Sequence, residues 1–195
     1  HALAAILNAL QLDDGDEVIM PGYTCVVVPN SVLYNGLKPI YCDIELDTFG
    51  PDINSIKKLV TPKTKVIIAQ HSYGLVCRDY EAILSFAKQN SIYIIDDCAQ
   101  ATGADYKNKK LGYFAIAAFY SMQHSKIISC GDGGIVATND VSLASKIKAV
   151  QEKSKEVSKE WVVNTLYTIK RIFYYNDNIF KGKLFYKYYD FIGRK

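Results

Sequence analysis

Apolar and polar positions follow two different patterns along the first 153 residues. Short runs are apolar at nearly every position, as in VIIA at 66–69, whereas longer segments repeat apolar residues every three or four positions. The first pattern predicts strands buried on both faces, and the second predicts amphipathic helices. Strands are predicted at 17–20, 37–44, 65–70, 91–97, 117–121 and 134–139, and helices at 2–12, 24–35, 52–60, 79–90 and 141–153.

The regular alternation of these elements predicts an α/β fold. Strands that are apolar throughout and separated by helices form a parallel or mixed sheet with helices on both faces. Ligands bind such sheets at the carboxyl ends of the strands. Polar residues collect at these ends, namely His71, Asp96, Asp97 and Ser121. We therefore expect one domain over residues 1–153, with its functional site at this edge of the sheet.

The composition changes in the segment 154–195. Residues 161–195 contain 11 aromatic side chains and a net charge of +5, whereas residues 1–160 carry a net charge of −2. The main body therefore shows no signature of nucleic-acid binding. Three interpretations of the basic aromatic segment remain open: an interface with a partner subunit, contact with a membrane surface, or the beginning of a C-terminal domain that the 195 residues mostly lack. We favour the last.

The cysteines, the apolar runs and the chain start indicate what kind of protein this is. The five cysteines are spread out and include no CxxC pair, which argues against a disulfide framework and against a zinc or other metal site, and favours a reducing cytoplasm. No apolar run approaches the ~20 residues of a membrane span. His1 opens directly into a helical pattern without an N-cap, so we expect the chain to be a fragment of a longer protein.

Lys126 is the first candidate for chemistry. It lies in SMQHSKIISCGDGG, with Ser121 five residues before it and a glycine cluster directly after it. An exposed loop lysine is the ordinary interpretation of such a residue. Hydroxyl groups and free backbone N–H groups in glycine turns bind anions, however. A lysine that forms a Schiff base next to a phosphate site is the arrangement that pyridoxal phosphate requires.

Adjacent carboxylates in IIDDCAQATG form the second candidate. Side chains of neighbouring strand residues point to opposite faces, so Asp96 and Asp97 do not form an acid–base dyad. One of them can keep the pyridine nitrogen of the cofactor protonated, or both can cap the next segment. We interpret Asp96 as structural. Gln100 follows and offers a donor for the phenolic oxygen of the cofactor.

Together with GDEVIMPGYTCVVVPNSVLYNGLKPIYCDI, these motifs resemble the DegT/DnrJ/EryC1/StrS family over about residues 2–150. The resemblance implies the three-layer α/β/α large domain of a fold-type-I transferase that uses pyridoxal phosphate, with a mostly parallel mixed sheet. It implies that Lys126 binds the cofactor covalently and that Asp97 contacts the pyridine nitrogen. It also implies that Gln100 lies beside the phenolic oxygen and that Ser121 binds the phosphate.

Several positions depart from the family pattern. The resemblance implies that the loop with Thr24 and Cys25 binds the cofactor. At the position of Cys25 the family often stacks an aromatic ring on the cofactor. The family's upstream phosphate-binding turn would precede His1. A histidine common in the family matches His71, which is expected either to line the substrate side of the site or to be structural.

The resemblance also implies an activity. It is the transfer of an amino group, by analogy from glutamate, to a keto group of a nucleotide-activated sugar in amino-sugar or cell-surface polysaccharide biosynthesis. A homodimer is implied as well. Two alternatives stay open: a sugar dehydratase on the same scaffold, whose branch resembles this one but carries histidine at the position of Lys126, and a non-catalytic binding or regulatory derivative of the fold.

Overall fold

The computed structural model describes residues 1–177, with side chains through residue 171. The helices are α1 (Ala2–Leu10), α2 (Val27–Tyr34), α3 (Ile53–Leu59), α4 (Tyr80–Gln89), α5 (Val141–Glu152) and α6 (Lys159–Asp177). The strands are β1 (Glu17–Pro21), β2 (Lys38–Cys42), β3 (Thr64–Gln70), β4 (Tyr93–Asp97), β5 (Asp105–Tyr106), β6 (Lys109–Lys110), β7 (Ala117–Ser121) and β8 (Gly134–Ala137).

Six of the strands form one sheet in the order β2-β1-β3-β4-β7-β8. The first five run parallel, and β8 pairs antiparallel with β7. Strands β5 and β6 form a separate two-stranded hairpin. The predicted α/β fold with a mostly parallel mixed sheet is therefore confirmed.

Two hydrophobic cores cover the two faces of this sheet. Ile67 and Ile94 belong to the core on the side of α3 and α4, and the next residues, Ile68 and Ile95, belong to the core on the side of α1, α2 and α5. The strand period of two produces this division. Each fully buried isoleucine contributes about 1.5–3 kcal/mol of transfer free energy. Burial on both faces explains why the strands are apolar at nearly every position.

Differences from the predicted elements occur mainly at the ends of strands. Helix α2 begins at Val27 instead of residue 24, because the chain first turns at the carboxyl end of β1. The hairpin of β5 and β6 was not predicted. Helix α6 lies in the segment 154–195, of which residues 178–195 lie outside the described part, so the predicted boundary at 153 stays a prediction. Among residues 1–177, no helix combines the length and apolar character needed to cross a bilayer.

Candidate active site

Loops at the carboxyl edge of the sheet carry most of the candidate residues. Asp97 ends β4 and Ser121 ends β7, and these strands are neighbours with Asp97 opposite Phe119. The loops that follow β1, β3, β4 and β7 carry the remaining candidates, which are Thr24, Cys25, His71, Gln100 and Lys126. The parallel sheet thus brings together residues that are up to about 100 positions apart in the sequence.

Asp97 is a buried carboxyl group at this edge. Its residue is 5% exposed, and its Oδ1 accepts a hydrogen bond of 2.9 Å from the backbone N–H of Ala99. Burial raises the pKa of Asp97 to about 6, although the Ala99 N–H and the charge of Lys126 favour the ionised form. The carboxylate is therefore short of cationic partners, and a protonated pyridine nitrogen would supply one.

This raised pKa predicts how the stability of the cofactor-free protein depends on pH. The unfolded chain loses the Asp97 proton near pH 3.8 and the folded chain near pH 6, so the folded state holds more protons between these values and its stability falls as the pH rises through them. Asparagine cannot ionise, so Asp97→Asn removes the free-energy cost of a buried negative charge. We expect the variant to be more stable than the wild type by roughly 2–3 kcal/mol at pH 8 and nearly equal to it at pH 4.

Urea unfolding at pH 4 and pH 8 measures the difference. Asp43→Asn is the matched control, because Asp43 is exposed and should change stability little at either pH. An equal effect of Asp97→Asn at both pH values would contradict the predicted penalty.

Lys126 lies in a loop that closes on itself between β7 and β8. The N–H of Met122 donates to the Gly133 carbonyl at 3.0 Å, and the N–H of Cys130 donates to the Met122 carbonyl at 3.1 Å. Gly131 adopts a φ of 92°, in the left-handed region that favours glycine. Ser121 is paired with Gly134 across the strands. The serine hydroxyl and the glycine turn therefore lie at the same end of β7, as an anion site needs.

Thr24 provides an unsatisfied polar atom at the same edge. Its Oγ1 is buried and has no hydrogen-bond partner among residues 1–171. Gln70, which the sequence analysis missed, holds this loop, since its Nε2 donates to the Tyr23 carbonyl at 3.0 Å and to Ser72 Oγ at 2.9 Å. Buried polar atoms are nearly always paired. The Thr24 hydroxyl lies at the same edge of the sheet as Asp97. Its missing partner therefore fits a site in which a polar cofactor supplies the hydrogen bond.

The amide of Gln100 is oriented by the loop after β3. Its Oε1 accepts a hydrogen bond of 2.9 Å from the backbone N–H of Tyr73, a residue with a φ of 56°. Since the oxygen is engaged, the Nε2 remains the group that can donate to a ligand. This geometry agrees with the predicted donor role of Gln100. Tyr73 was not singled out from the sequence, although the glycine after it signals a turn.

His71 does not face this edge. It is 1% exposed, its Nδ1 accepts the Cys77 N–H at 3.2 Å, and its ring packs edge-on against Tyr80 at 4.9 Å. Its Nε2 lies 3.4 Å from Asp96 Oδ1. The ring is enclosed by these neighbours in this structure, and the predicted substrate contact of His71 stays a prediction. The structural alternative agrees with its packing.

Asp96 is the centre of a buried hydrogen-bond network on the α4 side of the sheet. Its Oδ2 accepts from the Tyr80 hydroxyl at 2.6 Å and from the Gly112 N–H at 2.9 Å. His71, Asp96 and Cys98 could in principle ligate a metal, since one ligand atom of each lies within 4.8 Å of the others. Burial, however, raises the pKa of the Cys98 thiol well above its usual range. We therefore interpret His71, Asp96 and Cys98 as buried core residues and not as metal ligands.

Comparison with known proteins places the chain in a family. Residues 1–174 match the profile of the DegT/DnrJ/EryC1/StrS aminotransferase family. The chain belongs to this family. It is 37% identical to GDP-perosamine synthase of Caulobacter vibrioides over 160 residues, and this aligned region covers 82% of this chain and 43% of that protein. It is 38% identical over 147 residues to L-glutamine:2-deoxy-scyllo-inosose aminotransferase of Streptomyces lividus, covering 75% and 34%.

Solved structures agree with this assignment. An aminotransferase from Psychrobacter cryohalolentis superposes with a TM-score of 0.73 at 34% identity, covering 80% of this chain and 42% of that one. DesI, solved with its TDP-sugar product, gives a TM-score of 0.72 at 29% identity, covering 77% and 38%. The chain thus spans about two fifths of the length of its DegT/DnrJ/EryC1/StrS relatives. The predicted fold-type-I large domain is confirmed.

Within the DegT/DnrJ/EryC1/StrS family, the residue types of this edge fit pyridoxal phosphate. The buried Asp97 offers a partner for a cationic ring nitrogen. The Thr24 hydroxyl and the amide nitrogen of Gln100, which have no hydrogen-bond partner among residues 1–171, offer two further polar contacts. Cys25 is exposed next to Thr24. It therefore has an accessible sulfur at the position where the family often places an aromatic ring.

Proposed function

We propose that the whole protein transfers an amino group from an amino acid, with glutamate as the donor, to a keto group of a nucleotide-activated sugar, using pyridoxal phosphate in a homodimer. The observation that carries this proposal is the buried carboxyl group of Asp97. Burial raises its pKa to about 6, and the positive charge of Lys126, in the loop after the neighbouring strand β7, acts in the opposite direction. Relatives named as aminotransferases support the reaction type. GDP-perosamine synthase and DesI support the sugar substrate by their names.

Each residue has a defined task in this proposal. Bound pyridoxal phosphate supplies an electron sink for the carbon that loses a proton. Asp97 holds the proton on the ring nitrogen, and Gln100 donates its Nε2–H to the phenolic oxygen. Ser121 and the glycine turn bind the phosphate. The Nζ of Lys126 would hold the cofactor covalently until the amino group of the donor takes its place, and the released amine would then accept the proton from the α-carbon of the donor.

The absorbance of the protein with added pyridoxal phosphate tests this function. The longest natural form of the protein is compared with Lys126→Ala. We expect a visible band in the wild type that borohydride traps on Lys126, that glutamate bleaches, and that the variant lacks. Mass mapping of the reduced adduct should locate the modification at Lys126. If the intact protein shows no absorbance band that depends on Lys126, the proposed amino-transfer activity is refuted and a binding or regulatory role remains.

Sugar dehydration is the second candidate, and one observation bears on it. The dehydratase ColD is among the structural relatives, with a TM-score of 0.67 at 27% identity. The dehydratase branch that the sequence resembles carries histidine where this chain has Lys126, which favours amino transfer. Product analysis separates the two: transamination releases one 2-oxo acid for each aminated sugar, whereas dehydration yields a deoxygenated sugar that retains no amino group.

A further inference from the structure

Gln70 is a buried polar side chain on the same face of the sheet as Asp97. Strands β3 and β4 run parallel, with Gln70 opposite Asp97. Ile68 and Ile95, two residues earlier in each strand, belong to the core on the side of α1, α2 and α5, so the strand period of two directs Gln70 and Asp97 to that side as well. Because neighbouring strands lie about 4.8 Å apart, the amide and the carboxyl group start from adjacent positions.

The amide nitrogen of Gln70 donates to two different loops. Its Nε2 donates to the Tyr23 carbonyl in the loop after β1 at 3.0 Å and to Ser72 Oγ in the loop after β3 at 2.9 Å. A primary amide nitrogen has two hydrogens, so both are used by these bonds. The carboxyl group of Asp97 accepts the Ala99 N–H instead. Gln70 therefore fastens two loops to each other and donates nothing to the carboxyl group beside it.

The bond to the loop after β1 lies next to the Thr24 hydroxyl. Thr24 directly follows Tyr23, and its buried Oγ1 has no hydrogen-bond partner among residues 1–171. The Tyr23 carbonyl and the Thr24 nitrogen belong to one planar peptide unit. The bond from Gln70 therefore fixes the plane from which the Thr24 side chain departs.

The bond to the loop after β3 supports the residue that orients Gln100. Tyr73 follows Ser72, and its backbone N–H donates to Gln100 Oε1 at 2.9 Å. Tyr73 has a φ of 56°, and a residue other than glycine keeps this conformation only when its surroundings hold it there. The hydroxyl groups of Tyr23 and Tyr73 lie 2.6 Å apart at the surface. The two loops are thus joined by Gln70 on the buried side and by the tyrosine pair on the exposed side.

We propose that Gln70 is a positioning residue of the cofactor site, whose amide sets where the Thr24 hydroxyl stands relative to Asp97. This inference rests on the proposed function, since pyridoxal phosphate is the ligand that Thr24 and Asp97 would share. Only a side chain with two donors on one nitrogen fastens both loops at once. Strand β3 is paired through its backbone with β1 and β4, so loss of the amide should leave the sheet in place and change ligand binding.

Hydrogen exchange of the cofactor-free protein tests the positioning directly. Gln70→Met keeps the length of the side chain but has no donor, and Gln89→Met makes the same change at an exposed glutamine at the end of α4. We expect amide exchange in residues 22–28 to become about threefold faster or more in Gln70→Met and to stay unchanged in Gln89→Met. Circular dichroism verifies folding of each variant. Unchanged exchange in folded Gln70→Met would overturn the proposal.

A second substitution covers the case in which the methionine variant does not fold. Gln70→Asn keeps an amide that is one methylene group too short to reach both loops. It should accelerate exchange in residues 22–28 in the same direction, and unchanged exchange in this variant would equally overturn the proposal.

Cofactor affinity gives the second measurement, on the longest natural form of the protein. We expect Gln70→Met to raise the Kd for pyridoxal phosphate about tenfold, the order that two lost hydrogen bonds between neutral groups allow. Thr24→Val should raise the Kd severalfold in the wild type but by less than about twofold in Gln70→Met, because the hydroxyl is already displaced there. A merely structural Gln70 would lower stability and leave the Thr24→Val effect equal in both backgrounds, which would overturn the proposal.

The failure of this inference and the failure of the proposed function give different results. A wild-type protein that binds no pyridoxal phosphate would refute the proposed function and this inference with it. A wild type that binds the cofactor, together with Gln70→Met of equal Kd, would overturn this inference alone.

Discussion

Lys126→Ala is expected to slow the reaction of the cofactor-loaded protein with its amino donor by about 10²–10⁴-fold, the range for loss of a positioned proton-transfer group. In the proposed function the Nζ of Lys126 takes the proton from the α-carbon of the donor, and alanine provides no base at that place. Stopped-flow absorbance in a single turnover with glutamate measures the rate. The longest natural form of the protein is the sample to use.

Two controls make this result specific to Lys126. Lys148→Ala, at a lysine whose side chain is 75% exposed on α5, should react at the wild-type rate. A small amine such as methylamine should restore part of the rate of Lys126→Ala, because it can occupy the space of the lost side chain and accept the proton. A variant that reacts within about threefold of the wild type would remove Lys126 from the mechanism.

Asp96→Ala is expected to lower the free energy of unfolding by about 3–5 kcal/mol. The carboxyl group is fully buried, and its loss leaves the Tyr80 hydroxyl and the Gly112 N–H without an acceptor in the core. The hairpin of β5 and β6 precedes Gly112 directly and loses its connection to β4 at the same time. Equilibrium urea unfolding of the cofactor-free protein measures the change.

The size of the effect can be checked against two further variants. Tyr80→Phe removes one donor and should cost about 1.5–3 kcal/mol, the range for a hydrogen bond to a charged group. Asp105→Ala breaks the exposed ion pair with Lys110 and should cost at most about 1 kcal/mol. If Asp96→Ala were no more destabilising than Asp105→Ala, the network would not hold this part of the fold.

The sequence by itself determined the fold class and the edge of the sheet at which the candidate residues gather. Apolar runs such as 65–70 predict strands covered on both faces, and the observed β3 is Thr64–Gln70 with residues 66–70 all buried. Asp97 could be chosen over Asp96 only through the family resemblance. Lys126 became a candidate because a hydroxyl and a glycine turn flank it, and the spacing of these groups is visible in one short segment.

Only the tertiary structure decided how the candidate polar side chains are packed and paired. His71 and Asp97 both stand at strand ends, yet the ring of His71 packs against Tyr80 on the α4 side of the sheet and is 1% exposed. The loop of Thr24 is held by Gln70, 47 residues from Tyr23, and the amide of Gln100 is oriented by Tyr73, 27 residues away. The hydrophobic pattern sets the period and direction of a strand, but the hydrogen bonds of a loop depend on the neighbouring loops that the sheet order brings beside it.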